Sequence, residues 1–158
     1  MDTNKPKSST TAFKQFDAQI DELYSYRDKY YLENEDQDES ERNKRIQTKL
    51  AKLTGEIESW DEADLGGRAC RLVLMGKALN VMPEYDERAF EALTRAIKLE
   101  PSSYDAWNYL AECYWKNKDF DMCRNCFERS LGIERNKRAL RGMSIVMRQL
   151  MKIPTSSG

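Results

Sequence analysis

Apolar residues along this chain recur every three or four positions between short polar breaks, the period of helices that bury one face. Glycine is sparse at seven residues and the four prolines fall at positions 6, 83, 101 and 154, so the ordered chain is expected to be helical throughout. A first helix, 13–33, carries Phe13, Phe16, Ile20, Leu23 and Tyr30 along one side. The run ENEDQDESE, Glu33 to Glu41, then predicts an acidic, solvated loop leading into the charged start of a second helix. That helix places Ile46, Leu50, Leu53, Ile57 and Trp60 at spacings of 4, 3, 4 and 3, a coiled-coil seam. Two heptads are too few for a long coiled coil, so residues 13–62 are expected to form an antiparallel hairpin with an acidic loop near 33–41. The segment DEADLGGR, with paired Gly66 and Gly67, marks the break before helices of a different kind.

From residue 69 the chain repeats itself. In DAWNYLAECYWKNKDFDMCRNCFERS, Trp107, Leu110, Ala111 and Tyr114 are followed by Cys123, Phe127 and Ser130. This is the spacing of a tetratricopeptide repeat, with Ala111 in place of its glycine and Cys123 in place of its alanine. The preceding segment fits the same template through Met75, Gly76 and Leu79, then Ala89, Leu93 and Ala96, closed by Pro101. Ala89 to Cys123, Leu93 to Phe127 and Ala96 to Ser130 are each 34 residues apart; Gly76 to Ala111 is 35, because the turn VMPEYD around Pro83 holds one extra residue. Small residues at 76, 89, 96, 111, 123 and 130 let helices approach closely, while Trp107, Tyr114, Leu93 and Phe127 fill the space between them. The predicted fold is therefore all-α: an N-terminal helical hairpin followed by tetratricopeptide repeats, an α-solenoid. The first repeat spans 69–101 and the second 103–135. A last helix, 137–152, with Leu140, Met143, Val146, Met147 and Leu150, either caps the second repeat or opens an incomplete third. Residues 1–12 are expected to be a disordered polar tail and 153–158 a second tail. The chain stops at IPTSSG, where a further helix would be due, which suggests the N-terminal piece of a longer protein.

Composition narrows the function. With 34 % charged residues, 26 basic against 27 acidic, the chain reads as soluble and has no global field to hold nucleic acid, so any such contact must come from a local patch. No apolar run reaches the roughly 18 residues of a membrane span, and no membrane partner is expected. The N-terminus lacks the apolar core of a secretory signal, and four cysteines in such a chain point to reduced thiols in the cytosol or nucleus. The absence of histidine removes every Ser-His or Cys-His nucleophile and every His-ligated metal site. A zinc site would need Cys70, Cys113, Cys123 and Cys126, whose spacings of 43, 10 and 3 do not make two paired knuckles, so no metal or cofactor is expected.

Cys123 and Cys126 form a Cys-x-x-Cys pair that a redox couple would also show. The 34-residue register puts Cys123 on a small-residue position and Cys126 at the edge of the same helix, and Asp119 and Asp121 oppose a thiolate. The pair reads as apolar filling. No two carboxylates have apolar surroundings that would divide them into acid and base, and Gly66-Gly67-Arg68 lacks the Lys-Ser/Thr ending of a phosphate loop. The chain reads as non-catalytic.

Binding remains. In a solenoid of this kind the first helix of each repeat lines a concave groove, which makes Lys77, Asn80, Asn108, Glu112 and Lys116 candidates for peptide contact. Asn108 leads, because an amide pairs with both the donor and the acceptor of a peptide backbone. On the second helix of the first repeat Arg95 and Lys98 form a basic pair, with Lys77 expected nearby, of the kind that meets phosphate.

The runs MGKALNVMPEYDERAFEALTRAIKLEP, DAWNYLAECYWKNKDF and NKRALRGMSIVMRQL resemble the family of tetratricopeptide repeat protein five, also called Strap, and DELYSYRDKYY is similar to its N-terminal helix. The likeness covers nearly all of the chain from about residue 17. It implies cytosolic and nuclear adaptors with a longer repeat array and a C-terminal OB-fold domain. Such adaptors bind the N-terminal peptide of nascent α- and β-tubulin at the ribosome and recruit an mRNA-decay adaptor, which lowers tubulin message. The alternative it implies is a stress-responsive nuclear transcription cofactor that scaffolds a histone acetyltransferase and an actin-nucleation regulator. By the same resemblance Arg148, in the motif ending R-Q-L, holds the nascent peptide. Arg95 and Lys98, ahead of L-E-P, face the ribosome through its RNA or protein, Arg95 standing where the family has lysine. Later repeats would supply the far wall of the groove, so the chain alone is expected to hold peptide weakly.

Overall fold

The computed structural model describes residues 10–33 and 39–152, the side chains of residues 31–33 excepted. Among the described residues there are seven helices and no strand: α1 (Thr11–Glu33), α2 (Glu39–Ser59), α3 (Arg68–Leu79), α4 (Glu87–Leu99), α5 (Tyr104–Lys116), α6 (Phe120–Ile133) and α7 (Lys137–Lys152). Residues 11 and 12, expected in the polar tail at 1–12, belong to α1. Thr10 starts α1, its hydroxyl accepting the Phe13 amide at 3.2 Å and satisfying one of the donors a helix start leaves open. Residues 1–9, the centre of the acidic run at 34–38 and the tail at 153–158 lie outside the described residues.

The apolar pattern maps onto the core. Phe13, Phe16, Ile20, Leu23 and Tyr30 of α1 are buried, as are Ile46, Leu50, Leu53 and Ile57 of α2, and the two helices pack as a hairpin. Trp60 departs from the seam. The helix ends at Ser59, and the indole, 41 % exposed, lies edge-on to Phe16 with ring centroids 5.6 Å apart. Gly66 (φ 97°) and Gly67 (φ 116°) then take backbone conformations that a Cβ would strain, which reverses the chain tightly into α3.

In α3–α6 the repeat register appears as packing. The small residues Gly76, Ala89, Ala96, Ala111, Cys123 and Ser130 are all buried where helices meet. Helix starts are set by short polar side chains: Asp86 accepts from the Arg88 amide, Ser103 from that of Ala106 and Asp119 from that of Met122. Phe90 and Tyr114 meet edge to face at 5.5 Å between α4 and α5, and the Trp107 indole donates to the Pro101 carbonyl at 2.9 Å.

The hairpin is not a separate unit. α1 and α2 both pack on α3, as α3 and α4 pack on α5 and as α5 and α6 pack on α7. Successive first helices (α1, α3, α5, α7) touch one another, whereas α2, α4 and α6 make no comparable contact. A two-layer stack whose layers are spaced this way curves with the first helices inside, so α1, α3, α5 and α7 form the concave face. On α7, Ala139 and Val146 are buried against the second repeat, and Leu140, Met147 and Met151 remain exposed on another side.

Candidate functional site

The inner face is crossed by a chain of polar groups. Lys77 of α3 donates to Asp17 and Asp21 of α1, each at 2.6 Å, and its ammonium stands 5.7 Å from the centre of the Tyr109 ring on α5. Arg138 of α7 also lies over that ring, 4.6 Å from its centre, and pairs with Glu112. Tyr24 donates to the Lys77 carbonyl at 2.7 Å and Arg27 to that of Val81 at 2.9 Å, which fastens α1 to the end of α3. Burial works to lower the Lys77 pKa, but the Tyr109 phenol and the hydrogen bonds to Asp17 and Asp21 more than reverse this and hold the ammonium charged. Burial raises Tyr109 above the ordinary phenol range and keeps it neutral.

This geometry redistributes the groove candidates. Lys77, 5 % exposed, is spent on α1, so it is neither open to a ligand nor grouped with Arg95 and Lys98 as the sequence suggested. Asn108, 1 % exposed, does not face the groove either. Its Nδ2 donates to Asn136 Oδ1 at 2.9 Å, while Asn136 accepts the Ala139 amide at the start of α7 and donates to Ser130 of α6. Asn108 therefore ties α5 to the turn between α6 and α7. Asn80 donates to the Tyr109 carbonyl and to Glu112, both at 3.3 Å. Lys116 reaches back to the loop after α3, donating to Asn80 Oδ1 at 2.8 Å and to the Met82 carbonyl at 2.7 Å, and burial pushes its pKa down to about 8. The pattern of polar residues on first helices does not separate side chains that reach solvent from those that fasten neighbouring helices, because both fall on the same helical period.

The open part of the groove is a cleft of about 560 Å³ between α5, α6 and α7. Trp115, Phe127 and Ile145 contribute apolar surface, Gly142 leaves room beside the Phe127 ring, and Lys137, Arg138, Arg141 and Glu112 stand around it. Arg138 and Glu112 pair with each other. Lys137, Arg141 and Arg148 have no ion pair among the described residues. Arg141, Ile145 and Arg148 are spaced four and three apart, so they share one face of α7, and Arg148 is exposed at the far end of that face. The sequence pointed to Arg148 by resemblance. Lys137 and Arg141 were missed, although their recurrence with Arg148 along one helical face was readable. Arg95 and Lys98 are exposed on α4, on the convex side.

The dithiol is buried in the same region. Cys123 and Cys126 are inside the helix pair, Cys126 more deeply than its expected place at the helix edge, and burial pushes both thiols, with Cys113, up to about 12. Cys123 stands in the first turn of α6, where a helix N-terminus favours a thiolate, but the loss of solvation outweighs this. No helix among the described residues is long and apolar enough to cross a membrane.

Residues 87–143 match the family model described as Tetratricopeptide repeat. The chain is 40 % identical over 131 residues to Tetratricopeptide repeat protein 5 of Homo sapiens, covering 83 % of this chain and 30 % of the relative. To the protein of the same name in Mus musculus it is 37 % identical over 140 residues, covering 88 % of this chain and 31 % of the relative, and to that of Bos taurus 37 % identical over 131 residues. The chain thus spans about 30 % of the length of these relatives. The helix-on-helix stack, the two repeats in register and these identities together place the chain in the tetratricopeptide repeat protein 5 family.

Proposed function

We propose that this protein is a non-catalytic adaptor that binds the N-terminal peptide of nascent α- and β-tubulin at the ribosome and promotes decay of tubulin mRNA. The repeat architecture is that of a protein-interaction module. The observation that carries the finer reading is the cleft of α5–α7: apolar side chains from Trp115, Phe127 and Ile145 beside a row of cations, Lys137, Arg141 and Arg148, that no carboxylate of the described chain engages. Such a surface suits an extended peptide with an apolar residue close to an acidic one. Tubulin N-termini, which begin with Met followed by basic and acidic residues, have that character. In this reading Arg148 and Arg141 hold the acid, the cleft seats the apolar side chain, and Arg95 and Lys98 dock the convex side on the ribosome. In this reading the adaptor works in the cytosol.

The test is capture of the chain, alone and extended to the length of its relatives, on an immobilised Met-Arg-Glu peptide. Arg148→Ala should weaken capture about 30-fold, the effect of roughly 2 kcal/mol at an anchoring arginine. Capture that ignores both Arg148→Ala and reversal of the peptide's Glu to Lys would overturn the reading. Ribosome co-sedimentation separates it from a purely nuclear scaffold, since Arg95→Glu with Lys98→Glu should abolish sedimentation only in the first case.

A further inference from the structure

Extending the ribosome-facing part of that reading, on which it rests, we propose that α2 carries a second phosphate-binding surface that seats the backbone of structured RNA. The segment Arg42–Lys52 holds five cationic residues and no carboxylate, in a chain whose net charge is only −1. Lys44, Arg45, Lys49 and Lys52 are exposed, while Ile46 and Leu50 between them are buried against α1 and α3. Arg45, Lys49 and Lys52 are spaced four and three apart and so form one stripe on the solvent side of the helix. From Arg45 to Lys52 the stripe is about 10 Å long at 1.5 Å per residue, the axial length of about three phosphates on one strand. Lys44, Lys49 and Lys52 have no ion pair among the described residues, and Arg45 has only Glu41, at 3.1 Å in an exposed pair that a phosphate can displace.

The stripe borders a shallow depression of about 580 Å³ between α1 and α2, with Tyr26 on its wall and Thr48 on its rim. The Lys49 ammonium stands 5.1 Å from the centre of the Tyr26 ring, so an aromatic and a hydroxyl accompany the cations. The depression contains no deep apolar pocket of the kind that anchors a protein partner; its one carboxylate, Glu41, is paired with Arg45, and Lys44, Arg45 and Lys49 present exposed cationic heads suited to a phosphate strand. Position supports the same partner. α2 and α4 both belong to the outer layer of the curved stack, so this stripe and the Arg95–Lys98 pair lie on the convex side and leave the concave groove free.

The experiment is fluorescence anisotropy of a labelled RNA hairpin titrated with the chain at several salt concentrations between 50 and 200 mM. Lys44→Gln, Lys49→Gln and Lys52→Gln together keep strong helix formers on an exposed face, and circular dichroism checks that the fold survives. The triple variant should bind at least about tenfold more weakly, with the slope of log K against log salt reduced by about three, one per lysine. Its capture on the Met-Arg-Glu peptide should be unchanged. Three outcomes would overturn the proposal: unaltered hairpin affinity in the triple variant, a salt slope that does not change, or an acidic peptide of equal charge competing as well as RNA, which would make the partner a protein. If Arg95→Glu with Lys98→Glu removes ribosome sedimentation and the α2 triple has no effect on hairpin or ribosome, this inference falls while the ribosome reading stands. If the α2 triple alone lowers both, the inference holds and the pair on α4 loses its assigned role.

Discussion

Gly76 of α3 lies against Leu93 of α4 so closely that a β-carbon at position 76 would stand 2.5 Å from Leu93 Cδ2. Leu93 is fully buried, so its side chain has no free space to move into. Helix propensity alone predicts that Gly76→Ala stabilises α3 by about 1 kcal/mol. Packing predicts the reverse, a loss of about 1–3 kcal/mol from overfilling the helix pair. Chemical denaturation should therefore show Gly76→Ala destabilised, with Leu93→Val relieving part of the cost in the double variant. A stabilised Gly76→Ala would show that the small-residue position of the first repeat is not set by contact.

Lys116 gives a pH prediction of unusual sign. Its folded pKa is held down at about 8 by burial, below the 10.5 of an ordinary lysine, so between pH 8 and 10.5 the unfolded chain holds a proton that the folded chain has released. Stability from this group therefore rises with pH across that window, by about 3 kcal/mol at most. Lys77 has the opposite shift and stays charged in the folded chain throughout the window, so it adds a slope, of opposite sign, only as the pH nears 10.5 and the unfolded lysine titrates; comparison with Lys116→Met cancels it. The stability of the wild type relative to Lys116→Met should climb between pH 8 and 10.5. A difference that does not vary with pH would mean that Lys116 keeps its proton.

The buried thiols act in the other direction. Cys113, Cys123 and Cys126 are pushed up to about 12 from an ordinary value of 9.0, so the folded chain keeps three protons that the unfolded chain releases from about pH 9. Their stabilising contribution is complete below pH 9 and is lost as pH rises toward 12, at up to about 1.4 kcal/mol per pH unit for each cysteine. Cys123→Ala should fold almost as well as the wild type at pH 7 and lose stability less steeply above pH 9. An alkaline slope that Cys123→Ala leaves unchanged would place the titration on other groups.

Why the sequence disclosed the stack more readily than the groove follows from what each depends on. Ala89, Leu93 and Ala96 recur as Cys123, Phe127 and Ser130 because packing imposes residue size at a fixed spacing, and size is visible in one-letter code. Lys77 and Asn108 looked like groove residues by the same spacing, yet one is held by Asp17 and Asp21 some 60 and 56 positions away and the other by Asn136, 28 positions away. Those partners come from α1 and from the turn before α7, whose placement no periodicity reports. Arg148 was reached by resemblance and Arg141 was passed over. Their shared face on α7 becomes significant only once Trp115 and Phe127 are seen to form a cleft beside it.

The turn between α5 and α6 contains a residue that its backbone does not favour. Lys118 has φ 62°, the left-handed region, while its amide donates to the Trp115 carbonyl at 3.0 Å and the Asp119 amide donates to that of Tyr114 at 2.9 Å. Both bonds close the end of α5 and deliver Asp119 to cap α6, so the conformation is held by the two helices it joins. An L side chain there costs about 1–2 kcal/mol, and the exposed Lys118 side chain makes no ion pair among the described residues that offsets it. Lys118→Gly removes that strain and gives back about 0.4–1 kcal/mol through the greater freedom of the unfolded chain, for a net gain of about 0.5–1 kcal/mol. Thermal denaturation should show the midpoint raised by roughly 1–4 °C. Lys118→Ala removes the same charge and keeps the β-carbon, so it should give no such rise; an equal gain in both variants would assign the effect to charge and not to backbone strain.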